Sequence, residues 1–320
     1  MRIRKIPFED RAERLASVSV MSAVAIETVG LTKFYGRTRA IEDLDLCVEP
    51  GEVFGYLGPN GAGKTTTIKL LLGLHRPTRG RAALFGLDAW HEPVAAHERV
   101  AYVASEPFLW PALTGAETLE FLGRLRDRTD QAYRERLIER FELDANRKVR
   151  ALSHGNRQKV QLIAAFASRA DLLVLDEPTG GLDPLMEMAF RETVREAKEG
   201  GQTVFLSSHI LSEVEAVCDR VGILREGSLV ELGTLAELRH LGAQTVEVVF
   251  DGDAPTVPAL PGVEASSAGA NAIRFEVSGD VGPLIAALAD YPVRSLTSRE
   301  PSLEEIFLHH YERRDGSDRR

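Results

Sequence analysis

The chain has 320 residues, 44% hydrophobic and 27% charged, enough for one large domain and a small one with separate cores. A net charge of −9 excludes the basic field that wraps nucleic acid, so no nucleic-acid partner is expected. No stretch reaches the roughly 18–20 apolar residues of a membrane span; the best, Leu162 to Leu175, is interrupted by Arg169 and Asp171.

Residues 1–20 mix Arg2, Arg4, Lys5, Arg11 and Arg14 with Glu9, Asp10 and Glu13, and no apolar run follows as in a secretory signal. They read as a flexible extension, or as a misassigned start before Met21. Ala25 to Val29 and Ile41 to Val48 read as strands. A third apolar run, Val53 to Leu57, leads into Gly58-Pro59-Asn60-Gly61-Ala62-Gly63-Lys64-Thr65-Thr66, which fits GxxxxGK[ST], and then into a helix through Ile68 to Leu72. In that strand, loop and helix context the glycines turn N–H groups toward phosphate oxygens, Lys64 adds a cation, and the Thr65 hydroxyl is suited to magnesium. The chain is therefore expected to bind a nucleoside triphosphate.

From about Asp88 to Arg169 the periodicity predicts a helical insertion. Thr114 with Glu117 forms a capping box before Leu119, Phe121 and Leu122, and Leu137, Phe141 and Leu143 mark another amphipathic helix. Ser153 and Gly155 then open the apolar helix Val160 to Phe166, presenting a hydroxyl and free N–H groups as a second anion site, although Ser153 alone is an ordinary N-cap.

Strand character returns in Leu172 to Leu175, which ends in the adjacent acids Asp176 and Glu177. At the carboxyl edge of a buried strand, Asp176 suits the metal and Glu177 suits the base that polarises water. A helix is predicted over Pro184 to Lys198. The strand Thr203 to Ser207 carries Ser207-Ser208-His209 at its end, where His209 is placed to contact the γ-phosphate or orient the base. Val221 to Leu224 is a further strand, and this alternation implies a parallel sheet buried on both faces. Cys47 and Cys218 read as buried thiols rather than a disulfide.

After a helix at Leu235 to Leu241 come alternating Val246, Val248 and Phe250, a Pro- and Gly-rich loop over 254–262, and alternating Ile273, Phe275 and Val277. Helices are predicted over Pro283 to Tyr291 and Ser302 to Tyr311, the latter opened by Ser302 with Glu305, and residues 313–320 form a solvated tail. This is a small α+β domain.

In this order the motifs resemble the nucleotide-binding subunit of an ATP-binding cassette (ABC) transporter, over about residues 24–241. The phosphate loop is similar to its Walker A, Leu172 to Glu177 to its Walker B, Leu152 to Asn156 to its signature, Gly181-Leu182-Asp183 to its D-loop, and His209 to its switch histidine. Tyr35, in Lys33-Phe34-Tyr35-Gly36, is similar to the aromatic residue on which adenine stacks.

The resemblance implies an α/β fold: a P-loop NTPase cassette with a RecA-like, mainly parallel core sheet, antiparallel N-terminal strands and a helical insertion (about 88–169), all within 21–241, followed by the α+β domain at 242–312. It implies that Tyr35, Gly58, Asn60, Gly61, Gly63, Lys64, Thr65 and Thr66 hold ATP, that Thr65 and Asp176 hold Mg2+, and that Glu177 and His209 are catalytic. It further implies that Ser153, His154, Gly155 and Asn156 close in trans over the nucleotide of a second cassette, with Asp183 in the D-loop beside them. The chain would be a homodimerising ATPase on the cytoplasmic face of the membrane, driving a separate permease subunit. The runs Leu206 to Leu211 and Ser302 to Leu308, with the added C-terminal domain, resemble the cassette subunits of bacterial drug, antibiotic and polysaccharide exporters.

Two departures stand out. His154 and Asn156 replace the usual Gly and Gln of the signature, with Ser153 and Gly155 kept. Ser105, in Tyr102-Val103-Ala104-Ser105-Glu106-Pro107, stands where the family's Q-loop glutamine belongs, so hydrolysis is expected to persist with altered coupling to the membrane subunit. Kinases lack the signature and switch histidine. Chromosome ATPases separate Lys64 and Ser153 equivalents by long coiled coil rather than 89 positions, and translation factors carry two cassettes. A regulatory or assembly cassette without transport is the remaining alternative. The C-terminal domain is either a dimer-stabilising module or a passive addition.

Overall fold

The computed structural model describes residues 24–126, 129–240 and 244–299. The expected extension at 1–20, the helix Ser302 to Tyr311 and the tail at 313–320 lie outside the described residues.

The centre is a six-stranded sheet in the order β10-β9-β3-β8-β7-β6, formed by Ser228–Thr234, Arg220–Arg225, Val53–Leu57, Thr203–Ser208, Leu172–Asp176 and Val100–Val103 respectively. All neighbours run parallel except the edge strand β10. Alternation explains its burial on both faces. Val53 and Leu57, Leu173 and Leu175, and Val204 and Leu206 enter one core with the helices His154–Ala167 and Pro184–Glu199. Phe54 and Tyr56, Leu172 and Val174, and Phe205 enter the opposite core with the helix Lys64–Leu71 and a second sheet. That second sheet has the order β2-β1-β4-β5, from Thr38–Val48, Ile26–Tyr35, Arg79–Leu84 and Leu87–Asp88, and is antiparallel throughout.

The helices follow their apolar spacing. Pro184–Glu199 buries Met186, Ala189, Phe190, Thr193, Val194 and Ala197, a stripe of period 3.6. The helix Gly115–Arg124 has both arms of its capping box, with Thr114 Oγ1 accepting from the Glu117 N–H and the Glu117 carboxylate accepting from the Thr114 N–H. The helix Gln131–Arg140 and the turn after it bury Leu137, Phe141 and Leu143.

Several features differ from the sequence reading, among them the strands β5, Val263–Ser267 and Val293–Arg299, which it did not contain. Within the span expected to be helical, Val100–Val103 is a strand of the central sheet, because a run of four apolar residues bears no period that separates strand from helix. Strands β4 and β10 were not legible from pattern. The short helix Leu211–Val217 was likewise unread. Cys47 is only half-buried on β2, whereas Cys218 is buried.

The last described unit is an antiparallel sheet, β12-β13-β11-β14, from Val263–Ser267, Ala272–Val277, Gln244–Phe250 and Val293–Arg299. Val246, Val248, Phe250, Phe275 and Val277 pack against Leu284 and Leu288 of the helix Gly282–Leu288.

Candidate functional site

Strand β3 ends at the middle of the sheet, and the loop that follows wraps the N-terminus of the helix Lys64–Leu71. Gly61 and Gly63 take φ of 82° and 111°, the left-handed region that glycine tolerates. A Cβ on Gly63 would lie 2.6 Å from the Ala40 carbonyl oxygen, and one on Gly58 2.5 Å from that of Leu224, so these glycines let the loop lie directly on neighbouring backbone. Lys64 is 5% exposed; its ammonium donates to the carbonyls of Gly58 at 2.7 Å and Pro59 at 3.3 Å.

Beside it, strand β7 delivers two carboxylates. Asp176 is fully buried, accepting at Oδ2 from Thr65 Oγ1 (3.0 Å) and at Oδ1 from Ser207 Oγ (2.6 Å). Burial pushes its carboxyl above the usual range, the hydrogen bonds from Ser207 and Thr65 oppose this, and the neighbouring Glu177 charge reinforces it. Hard oxygen donors from one hydroxyl and one carboxylate are the set magnesium accepts when phosphate and water complete its shell.

Glu177 breaks the strand alternation. Its φ is +48°, uncommon for a residue with a Cβ, and this turn lets a second consecutive carboxylate face the loop. Its backbone N–H is fixed by Ser207, at the carbonyl (3.1 Å) and Oγ (3.2 Å). The carboxylate lies between two partners, with Oε1 3.2 Å from Lys64 Nζ and Oε2 3.3 Å from His209 Nδ1. A cavity of about 260 Å³ is lined by Leu57, Gly58, Pro59, Asn60, His209 and Leu211, so His209 faces the phosphate loop across open space.

The structure thus brings Lys64, Thr65, Asp176, Glu177 and His209 together. Ser207 joins them as a residue the sequence reading missed. Its signal, a serine one strand over and level with Asp176, depends on the β7–β8 pairing. Glu213 was also missed. It is 5% exposed and accepts from Thr179 Oγ1 (2.6 Å) and Ser208 Oγ (2.9 Å), tying the turn after Glu177 to the strand that carries His209.

The other motifs form a second group. Ser153 caps the helix His154–Ala167, its Oγ accepting from the Asn156 N–H at 3.2 Å, and Ser153 and His154 are exposed. Gly155 touches backbone: a Cβ there would lie 2.2 Å from the Gly181 carbonyl oxygen. Asp183 caps the helix Pro184–Glu199, accepting from Leu185 and Met186 N–H at 3.1 Å each. Among the described residues, no hydrogen bond or ion pair joins Ser153–Asn156 to the Lys64–Glu177 cluster of the same chain.

Ser105 follows strand β6, half-buried, and neither it nor exposed Glu106 bonds through its side chain to another described residue. The preceding Ala104 is paired instead by Gln161, which accepts from its N–H (3.4 Å) and donates to its carbonyl (3.5 Å).

Tyr35 ends β1 opposite Thr38, two residues from the Ala40 carbonyl that Gly63 touches. At about 3.3 Å per residue, Thr38 lies roughly 7 Å along the strand from Ala40. Thr66 lies in the first turn of the helix Lys64–Leu71.

Residues 41–180 match the family described as "ABC transporter", and residues 233–311 match "ATP-binding protein DrrA1-3-like, C-terminal domain". The daunorubicin/doxorubicin resistance ATP-binding protein DrrA of Streptomyces peucetius is 41% identical over 230 residues, 70% of this chain and 70% of that protein. The daunorubicin resistance ATP-binding protein DrrA3 of Streptomyces coeruleorubidus is 34% identical over 315 residues, 94% of this chain and 98% of that protein. A solved ATP-binding subunit of an ABC transporter superposes with a TM-score of 0.63 at 34% identity, covering 67% of this chain and 92% of that one.

Proposed function

The chain belongs to the ATP-binding subunits of ABC transporters, which bind and hydrolyse ATP to power transport, and from that premise we propose the role of each site residue. Glu177 is the general base. Its carboxylate, between Lys64 at 3.2 Å and His209 at 3.3 Å, is the observation that carries this reading. A water on the His209 side loses its proton to Glu177 as its oxygen bonds to the γ-phosphorus, the bond from that phosphorus to the β–γ bridging oxygen breaks and ADP leaves, while His209 orients the pair and Lys64 offsets the charge growing on the phosphate oxygens.

Thr65 and Asp176 hold Mg2+, which supplies Lewis-acid compensation of phosphate charge when bound. The backbone of Gly58, Asn60, Gly61 and Gly63 with Thr66 cradles the phosphates, and Tyr35 stacks the base. Ser153, His154, Gly155 and Asn156, the first two exposed and all four apart from their own chain's cluster, close over the nucleotide of a second copy, with Asp183 alongside, so the working unit is a homodimer.

The membrane partner is a separate permease, which places the chain on the cytoplasmic face of the membrane. Exposed apolar side chains just beyond Ser105 support this: Phe108 is 98% exposed, and Trp110 packs edge-on against Phe121 at 4.8 Å, both rings partly in solvent. No helix among the described residues is long and apolar enough to cross a membrane itself. The named relatives act in drug resistance, and export of a compound of that kind is the transport we assign. Residues 21–241 form the cassette and 242–312 the added domain. Ser105 alters coupling to the permease while hydrolysis persists.

The test is Glu177→Gln incubated with ATP and magnesium. Turnover should fall about 10²- to 10⁴-fold while ATP remains bound and pairs of chains accumulate on size exclusion. Turnover at the parent rate would remove Glu177 from the role of base, and a monomer at saturating ATP would remove the closed homodimer.

A further inference from the structure

We infer that His75 is a positioning residue that fixes the Tyr35 ring as the platform for the nucleotide base. This rests on the reading of Tyr35 as that platform. His75 lies just beyond the helix Lys64–Leu71, whose last turn holds it: the Leu74 and His75 N–H groups both donate to the Lys69 carbonyl, at 2.9 and 3.2 Å. From there its Nδ1 is hydrogen-bonded to the Tyr35 hydroxyl, and the two rings meet edge to face, centroids 5.7 Å apart at 78°.

The rest of the strand end is laced to the same segment. The Phe34 N–H donates to Thr78 Oγ1 (3.0 Å), and the Thr78 N–H donates to the Thr32 carbonyl (2.8 Å). The Lys33 ammonium, pinned by the Arg76 carbonyl at 2.7 Å, lies 4.9 Å from the Tyr35 ring centroid. Desolvation, with the Lys69 and Lys33 cations nearby, holds the His75 ring below its usual pKa, and the neutral ring takes the Tyr35 proton at Nδ1 in its Nε2–H tautomer or donates from Nδ1 in the other.

The consequence for binding is physical. Tyr35 is 44% exposed, and an untethered exposed ring must lose rotamer freedom when a base stacks on it. Tethered to His75, it meets the base already oriented, which lowers the ordering cost. One helix then serves both ends of the nucleotide: it starts at Lys64 under the phosphates, and the Lys69 carbonyl in its last turn holds the residue that fixes the base platform.

Isothermal titration of the full-length protein with ATP, and with tripolyphosphate as a base-free probe, tests this. His75→Ala should weaken ATP about threefold to tenfold, the scale of one hydrogen bond, and leave tripolyphosphate unchanged. His75→Asn, whose amide reaches the place of Nδ1, should restore most of the loss. Tyr35→Ala should weaken ATP about tenfold or more, and adding His75→Ala to it should cost nothing further. Equal weakening of both ligands by His75→Ala would overturn the proposal, because the effect would then run through the phosphate loop. So would normal ATP affinity in His75→Ala beside weakened affinity in Tyr35→Ala. If Tyr35→Ala itself binds ATP normally, the platform reading fails and takes this inference with it.

Discussion

Replacing Gly155 with alanine adds a single methyl group where the first turn of the helix His154–Ala167 touches the turn at Gly181. Built on the existing backbone, that methyl lies 2.2 Å from the Gly181 carbonyl oxygen, whereas real Cβ contacts stay beyond 3.0 Å, so the two must part by at least 0.8 Å. Neither side yields easily. The Gly181 region is held by the Leu182 N–H on the Thr179 carbonyl (2.9 Å) and by Asp183 capping the next helix, while the Gly155 side is the first turn of a capped helix. Overpacking of this kind costs about 1–3 kcal/mol. At about 2–4 °C per kcal/mol for a unit this size, the melting temperature should fall by about 2–12 °C in scanning calorimetry. Phosphate release should fall by about 10²-fold, because Ser153 and Asp183 shift with the loops they terminate. For the melting temperature Ser153→Ala is the control, removing a cap worth about 1 kcal/mol without the clash. A Gly155→Ala protein that melts within about 1 °C of the parent and hydrolyses ATP normally would refute the reasoning.

Three further outcomes are expected. Glu196 receives hydrogen bonds from Arg140 and Tyr133, joining the helices Gln131–Arg140 and Pro184–Glu199, and the Arg140 guanidinium leads in holding its carboxyl below the usual 4.5. A depressed acid stabilises above its unfolded pKa, so the stability gap between parent and Glu196→Gln in urea titrations should be present at pH 7 and close as pH falls below 4.5. A gap independent of pH would refute the charge assignment. Burial raises the Cys218 thiol far above its ordinary value, while burial and then Glu49 push Cys47 up to about 11. Alkylation at about pH 8.5 should therefore leave native Cys218 unlabelled and label Cys47 roughly a hundredfold more slowly than a free thiol, with prompt native labelling of Cys218 as the contrary result. Phe275→Ala removes a ring 1% exposed in the C-terminal core and should cost about 3–5 kcal/mol there. Hydrogen exchange should accelerate in β11 and β13 and stay unchanged in β3, β7 and β8; uniform acceleration would mean the two units melt as one.

The parts of the site that lie along one stretch of chain were legible in the sequence. The phosphate loop, the Asp176–Glu177 pair and the caps at Ser153 and Thr114 are local devices whose residues and spacing carry their own geometry. Ser207 and Glu213 were not legible, because their work depends on which strand lies next to which: Ser207 matters only because β8 pairs with β7 at Asp176. Strand β6 was hidden because four apolar residues fit either period. For Gly155 the sequence pointed to an anion-binding helix end, and the packing on Gly181 adds a steric demand that no spacing reveals.

The left-handed turn at Glu177 also restricts what the chain can become by mutation. With the peptide coiled this way at φ +48°, valine, isoleucine or threonine at that position would meet a steric penalty before any question of acidity arose. Glutamine, unbranched at Cβ, inherits the same bend and loses only the charge. Asparagine and glycine, the residues most at ease in left-handed backbone, fit the turn as well, so polar or small replacements keep the local shape while branched ones distort it.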